Sequence, residues 1–258
     1  DAKFIGNVLL VDDNSINLEL AQILLRKTGL TITTASDGAE AVAAEKENSF
    51  DLIFMDIEMP VLNGTEATVQ IRAGGRNSDI PIIALTANVS EDDIAFYLSK
   101  GMTDSLTKPV ATEAMIELLA RYLPYTLEDK LALEAASAMQ QEDPGELMLD
   151  SDTLNNLLND IGAENAERVI NMYIDDTSKQ MGTLVRYMQS GDRENTRKVA
   201  HRLASSSLSF GLNKLGNSLR QIEKFAKEDQ AFDAIDADGL ESLFADSKAA
   251  LIKAFKSD

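Results

Sequence analysis

Three short, unbroken apolar runs in the first half of the 258-residue chain constrain its fold most: VLLVD at 8–12, DLIFMD at 51–56 and IPIIALT at 80–86. A strand with one wet face alternates apolar and polar residues, so an unbroken run of this length fits a strand covered on both faces. Each run is followed by residues at helical spacing. SINLELAQILLRKTG stops at Gly29, and further helical stretches lie near 64–73 and 90–100. The β-branched TITTA (31–35), a helix from Asp37 to about Lys46, a short strand before Lys108 and a helix at 111–123 complete five strand–helix repeats. That alternation predicts a doubly wound α/β domain over residues 1–123, with a five-stranded parallel sheet and helices on both faces.

The pattern changes beyond Leu123. Residues 124–150 are acidic, contain Pro124 and the Pro144-Gly145 pair, and read as a linker, part of it helical. From 151 to 258 the spacing is purely helical. Leu154, Leu157, Leu158 and Ile161 mark a short helix, and a long one runs from Val169 to Met188. A third helix begins after Asp192, a good N-cap, and ends near Gly211. Leu215, Leu219, Ile222 and Phe225 mark a fourth, and Leu240 to Phe255 a fifth. Amphipathic helices with short joints predict an antiparallel helical bundle.

Charge narrows the possible partners. The net charge is −19, divided as −10 over 1–123, −6 over 124–150 and −3 over 151–258. Such a surface repels phosphate backbones, which argues against direct nucleic-acid binding. Residues 186–227 are the exception, with nine basic and three acidic side chains, and the chain's one histidine, His201, lies among them. There is no cysteine, so neither disulfides nor thiolate metal sites are available. No apolar run reaches the roughly 18 residues of a membrane span, and the expected location is the cytoplasm. The glycines at 74–75 do not form a phosphate-binding loop, so no ATP-binding pattern is present.

Asp12 and Asp13 end the first predicted strand, Asp56 the third and Thr86 the fourth, while Lys108 follows the fifth. In a parallel sheet these ends share one edge, where ligands bind. Taken singly, each acid reads equally well as a helix cap or a solvated loop residue. Clustered carboxylates repel one another and call for a neutralising cation, for which Mg²⁺, with its oxygen ligands, is suited. A lysine and a hydroxyl beside such a site suit phosphoryl oxygens, and a carboxylate can attack phosphorus.

His201 lies in KVAHRLASSSLSFG (198–211). At 100° per residue, Thr196, Val199, Leu203, Ser206 and Phe210 share one helical face, and His201 falls opposite them. The expectation is an exposed imidazole beside Arg197 and Lys198, with Ala204 and Ser205 leaving room for a partner. An incidental surface histidine is the alternative.

VLLVDDN (8–14), LIFMDIEMPVLNG (52–64), ALTA (84–87) and LTKPV (106–110) together resemble the receiver domain of two-component signalling proteins, a flavodoxin-like doubly wound fold. The resemblance implies that Asp56 is the phosphoacceptor. It implies that Asp13 and Asp56, Asp12 through water and the Glu58 main-chain carbonyl hold Mg²⁺, and that Thr86 and Lys108 contact the phosphoryl oxygens. Many receivers carry an aromatic residue three positions before the lysine; here that position is Ser105.

AHRLASSSLSFG (200–211) resembles the histidine-containing phosphotransfer domain, which implies an antiparallel four-helix bundle over 151–258 and phosphorylation of His201. The lysine common in that motif is replaced by Ala204, so Arg197, Lys198, Arg202 or Ser205 is expected to serve the phosphohistidine. The two resemblances together imply the phosphotransfer part of a bacterial hybrid sensor histidine kinase. The expected partners are the kinase core of the same parent and a downstream response regulator. The fragment is expected to be monomeric and the parent anchored in the inner membrane. The competing reading is a response regulator whose helical domain is a protein-binding or dimerisation module, with His201 incidental.

Overall fold

The computed structural model describes residues 3–74, 78–87, 90–126, 147–228, 232 and 235–256. The chain divides into two compact units, with the boundary between 141 and 142.

The first unit is built on a five-stranded parallel sheet. Its strands are β2 (Asn7–Val11), β3 (Thr31–Ala35), β4 (Leu52–Asp56), β5 (Ile82–Thr86) and β6 (Asp104–Thr107), in the order β3-β2-β4-β5-β6. Alternation along the strands builds two cores. Leu9, Val11, Ile53, Met55, Ile82 and Ala84 join buried residues of α2 (Gly38–Glu47), α3 (Gly64–Arg72) and α4 (Glu91–Ser99). Val8, Leu10, Leu52, Phe54, Ile83 and Leu85 join buried residues of α1 (Ser15–Lys27) and α5 (Thr112–Tyr122). Both faces of β2, β4 and β5 are therefore covered, which is why these strands read as continuous apolar runs.

The expected start of the linker at 124 is corrected. Tyr125–Thr126 form β7, which pairs antiparallel with β1 (Lys3–Phe4), and the Tyr125 ring lies 5.6 Å from that of Phe4. At the far end, Asp150 N–H donates to the Gly211 carbonyl at 2.7 Å and Lys214 N–H to the Leu147 carbonyl at 3.1 Å. Residues 147–150 thus belong to the helical unit. Of the partly helical linker expected over 124–150, residues 127–146 lie outside the described residues.

The helical unit contains α6 (Ser151–Ile161), α7 (Ala163–Ser190), α8 (Arg193–Ser209), α9 (Asn213–Lys227) and α10 (Ala237–Phe255). Consecutive helices from α7 to α10 pack on one another and α10 returns to α7, closing a ring of four, while α6 packs on α7 and α8. Asp192 caps α8 by accepting from Asn195 N–H. The face predicted from spacing is the buried one: Thr196, Val199, Leu203, Ser206 and Phe210 are all inside. Tyr173 of α7 stacks 4.6 Å from Phe210 and shares a 2.9 Å hydrogen bond with Ser207. Among the described residues, no helix is long and apolar enough to cross a membrane.

Candidate functional site

In the sheet, Val11 of β2 pairs with Met55 of β4. The next residue on each strand is an aspartate, so Asp12 and Asp56 come side by side. This is also where the strand order reverses, the switch point at which α/β sheets bind ligands. Carboxylate oxygens of Asp12, Asp13 and Asp56 lie within 4.8 Å of one another. Asp12 and Asp56 are each 2% exposed. Neither Asp12 nor Asp13 caps α1. That role falls to Asn14, which accepts from Ile16 N–H at 3.0 Å and itself donates from its backbone to Asp12 Oδ1 at 2.9 Å.

Lys108 neutralises part of this charge. Its Nζ lies 2.6 Å from Asp12 Oδ2 and 2.7 Å from Asp56 Oδ2. Burial by itself favours the neutral amine, but Asp12 and Asp56 outweigh it and hold the ammonium pKa above the usual lysine value. Three carboxylates against one ammonium still leave an excess of negative charge and a set of hard oxygen donors. That donor set fits Mg²⁺, which takes few protein carboxylates and keeps several waters. Glu58 stands beside the cluster, its N–H donating to Asp56 Oδ1 at 3.3 Å. Thr86 ends β5, and its hydroxyl is 3.2 Å from the hydroxyl of Tyr97 in α4.

In the helical unit, α9 lays two side chains against the ring of His201, which a helical wheel of α8 alone does not show. Glu223 Oε1 lies 2.7 Å from His201 Nδ1, and Arg220 Nη1 lies 3.0 Å from that nitrogen and 2.7 Å from Glu223 Oε2. Burial alone raises a carboxyl pKa, but His201 and Arg220 pull that of Glu223 down to about 2. The carboxylate only accepts, so its contact places the ring proton on Nδ1 and the lone pair on Nε2. Arg220 then serves the carboxylate.

Comparison with known proteins bears on both units. The model of the response regulator receiver domain matches residues 8–120, and that of the Hpt domain matches residues 168–250. The chain joins a receiver domain to an Hpt domain. Receiver and Hpt domains together place it in phosphorelay signalling. Among curated relatives, the sensor histidine kinase AruS of Pseudomonas aeruginosa is 30% identical over 221 residues, covering 85% of this chain and 21% of that protein. The sensor protein GacS of Pseudomonas syringae is 37% identical over 146 residues, covering 55% and 16%. The chain thus spans about a fifth of the length of these relatives. Among solved structures, a sensor histidine kinase receiver from Pseudomonas aeruginosa, with magnesium in its active-site cleft, is 38% identical. The match covers 45% of this chain and 96% of that one, with a TM-score of 0.43.

The receiver's predicted residues Asp12, Asp13, Asp56 and Lys108 are brought together as described. In the Hpt domain, Lys198 pairs with Glu194 at 2.6 Å on the exposed side, and Arg197 and Arg202 are half-buried. Ala204 falls where α8 packs on α9. A Cβ on Gly216 of α9 would lie 2.5 Å from Leu208 Cγ and 3.5 Å from the Ala204 carbonyl oxygen, so α8 and α9 approach as closely as glycine permits. Sequence reading missed Tyr97, Arg220 and Glu223. One signal pointed to the last: Glu223 is the only acid between Lys198 and Lys227.

Proposed function

We propose that the chain passes a phosphoryl group between Asp56 and His201. The observation that carries this reading is the Asp12–Lys108–Asp56 bridge at the sheet's switch point. Asp56 supplies a carboxylate oxygen as nucleophile. Its O–P bond forms as the bond from phosphorus to the donor breaks, and the donor keeps the electron pair. Lys108 and the Thr86 hydroxyl meet the oxygens of the transferring group, whose charge is the main thing to be stabilised. Asp12, Asp13, Asp56 and the Glu58 main-chain carbonyl would hold Mg²⁺, which when bound supplies charge neutralisation for those oxygens.

In the second transfer, the His201 Nε2 lone pair forms an N–P bond as the Asp56 O–P bond breaks, and the Asp56 carboxylate is restored. Glu223 orients the ring for this by keeping the proton on Nδ1. It also stabilises the positive charge that the ring acquires on attack. An incidental histidine would have no need of a half-buried carboxylate and an arginine on one ring nitrogen. Arg197, Lys198, Arg202 and Ser205 remain the proposed surroundings of the phosphoryl group on Nε2.

The similarity to AruS across both domains supports a larger reading. The chain is the phosphotransfer part of a hybrid sensor histidine kinase, supplied by the kinase core of its parent and discharged to a separate response regulator. The cytoplasmic location, the anchoring of the parent in the inner membrane and a monomeric fragment belong to the same proposal. To test the receiver half, the chain is incubated with acetyl phosphate, with Mg²⁺ or with a chelator. Base-labile phosphate is expected in wild type with Mg²⁺, with strong loss on chelation and none in Asp56→Asn. Undiminished label in Asp56→Asn would refute the assignment.

A further inference from the structure

The bond between Thr86 and Tyr97 has no role in the mechanism above. Tyr97 is a buried residue of α4, 8% exposed, flanked by Phe96 and Leu98, which are about half exposed. Its ring belongs to the apolar cluster formed with Ile82, Ala84 and Met102 against the sheet. The ring's polar tip therefore ends at Thr86, the last residue of β5, with the two hydroxyl oxygens 3.2 Å apart. Position 105 of β6 carries a serine, paired with Ala84, so no aromatic ring reaches this edge from that strand position. The ring comes from α4 instead.

We propose that Tyr97 positions the Thr86 hydroxyl for the phosphoryl group that Asp56 accepts, in place of an aromatic side chain at position 105. The chemistry of the pair supports this direction. A threonine hydroxyl has one proton and two lone pairs. When Tyr97 donates to Thr86 Oγ1, Thr86 donates its own proton to a second acceptor, such as a phosphoryl oxygen. Two hydroxyls in series polarise one another, so the terminal donor is strengthened. The Tyr97 hydroxyl stays protonated for this task. Burial raises its pKa most; the bond to Thr86 opposes the rise, and the charges of Asp93, Glu58 and Asp56 add to it. The Asp56 charge thus bears directly on this hydroxyl, and more negative charge at Asp56 favours the proton-donating form further. Tyr97 touches no reacting atom. It acts through Thr86.

The inference rests on Asp56 being the phosphoacceptor, and the experiment separates the two. Initial rates of acetyl phosphate labelling with Mg²⁺ are measured on the full 258-residue chain. Wild type is compared with Tyr97→Phe, Thr86→Ala, the double variant and Asp56→Asn. Tyr97→Phe keeps the packed ring and removes only the hydroxyl. It is expected to slow labelling by about three- to tenfold, the scale of one neutral hydrogen bond. The double variant should label no more slowly than Thr86→Ala, because without the threonine hydroxyl Tyr97 has nothing to position. A purely structural role for Tyr97 would slow labelling in either background. Wild-type labelling by Tyr97→Phe, or full additivity in the double variant, overturns the inference. If either occurs while Asp56→Asn is unlabelled, Tyr97 alone is dismissed; if Asp56→Asn labels as wild type does, the phosphoacceptor assignment itself fails.

Discussion

Gly64 opens α3 directly behind the phosphoacceptor, and its replacement by alanine sets two effects against each other. Alanine is favoured over glycine in a helix by about 1 kcal/mol. Against this, a Cβ at position 64 would lie 2.0 Å from the Asp56 carbonyl oxygen, 2.9 Å from its carbonyl carbon and 3.0 Å from Met55 Cγ. Real Cβ contacts essentially never fall below 3.0 Å, so about 1 Å must be opened between α3 and β4. The two nearest atoms are main chain and cannot rotate away. The Gly64 N–H also donates to the Ile57 carbonyl at 3.1 Å, and the shift would strain that bond. Overpacking of this kind costs about 1–3 kcal/mol, which exceeds the helical gain. Gly64→Ala is therefore expected to destabilise the receiver by up to about 2 kcal/mol and to displace Asp56. A displacement near 1 Å is large enough to slow transfer by about 10²-fold. The chain has two units, so one unfolding free energy is not defined for it. Hydrogen exchange at β4 and α3 amides reads the receiver alone. Gly182, inside α7 with no atom within 4 Å of its would-be Cβ, is the control; there alanine should stabilise by about 0.5–1 kcal/mol. Slower exchange in β4 together with wild-type labelling in Gly64→Ala would refute the reasoning.

Two further outcomes follow from the buried charges. Lys108→Met leaves Asp12 and Asp56 buried without their shared cation and should destabilise the receiver by about 3 kcal/mol at pH 7. The loss should shrink on adding Mg²⁺; hydrogen exchange at β2 and β4 amides of the variant, with and without the ion, measures it. In the Hpt domain, the Glu223 carboxyl is held at about 2 against an ordinary 4.5. Its folded pKa is lowered, so the stabilisation is fully present above about pH 4.5 and is lost as pH falls towards 2. Full loss amounts to about 3 kcal/mol, and hydrogen exchange in α8 and α9 across this range should show it in wild type and not in Glu223→Gln.

Much of the receiver was legible because its strands are buried on both faces and its functional side chains stand at strand ends, where position in the sequence and position at the site coincide. β7 escaped notice because a two-residue strand beside Pro124 has no periodicity to detect. Tyr97 escaped for a different reason. It sits mid-helix in α4, and only the packing of that helix on the sheet brings its hydroxyl to Thr86. The Hpt helices were legible from their apolar spacing, and the buried face of α8 followed from it. What a helical wheel leaves out is the neighbouring helix. The face opposite Leu203 looked open, yet α9 lays Glu223 and Arg220 against His201, and Gly216 lets it close over Ala204. Glu223 lies 22 residues from His201, beyond any local motif, and its one local sign was a lone acid among basic residues.

The claim that phosphate moves between Asp56 and His201 is tested most directly by where label resides after the receiver is charged. The chain is loaded with labelled acetyl phosphate and Mg²⁺, then treated with acid or alkali, in wild type, Asp56→Asn and His201→Gln. An acid-labile, base-stable label is expected on the Hpt domain in wild type and in neither variant, with His201→Gln retaining base-labile label on the receiver. Failure of any acid-labile, base-stable label to appear on the wild-type Hpt domain, or its undiminished presence in His201→Gln, would contradict that claim.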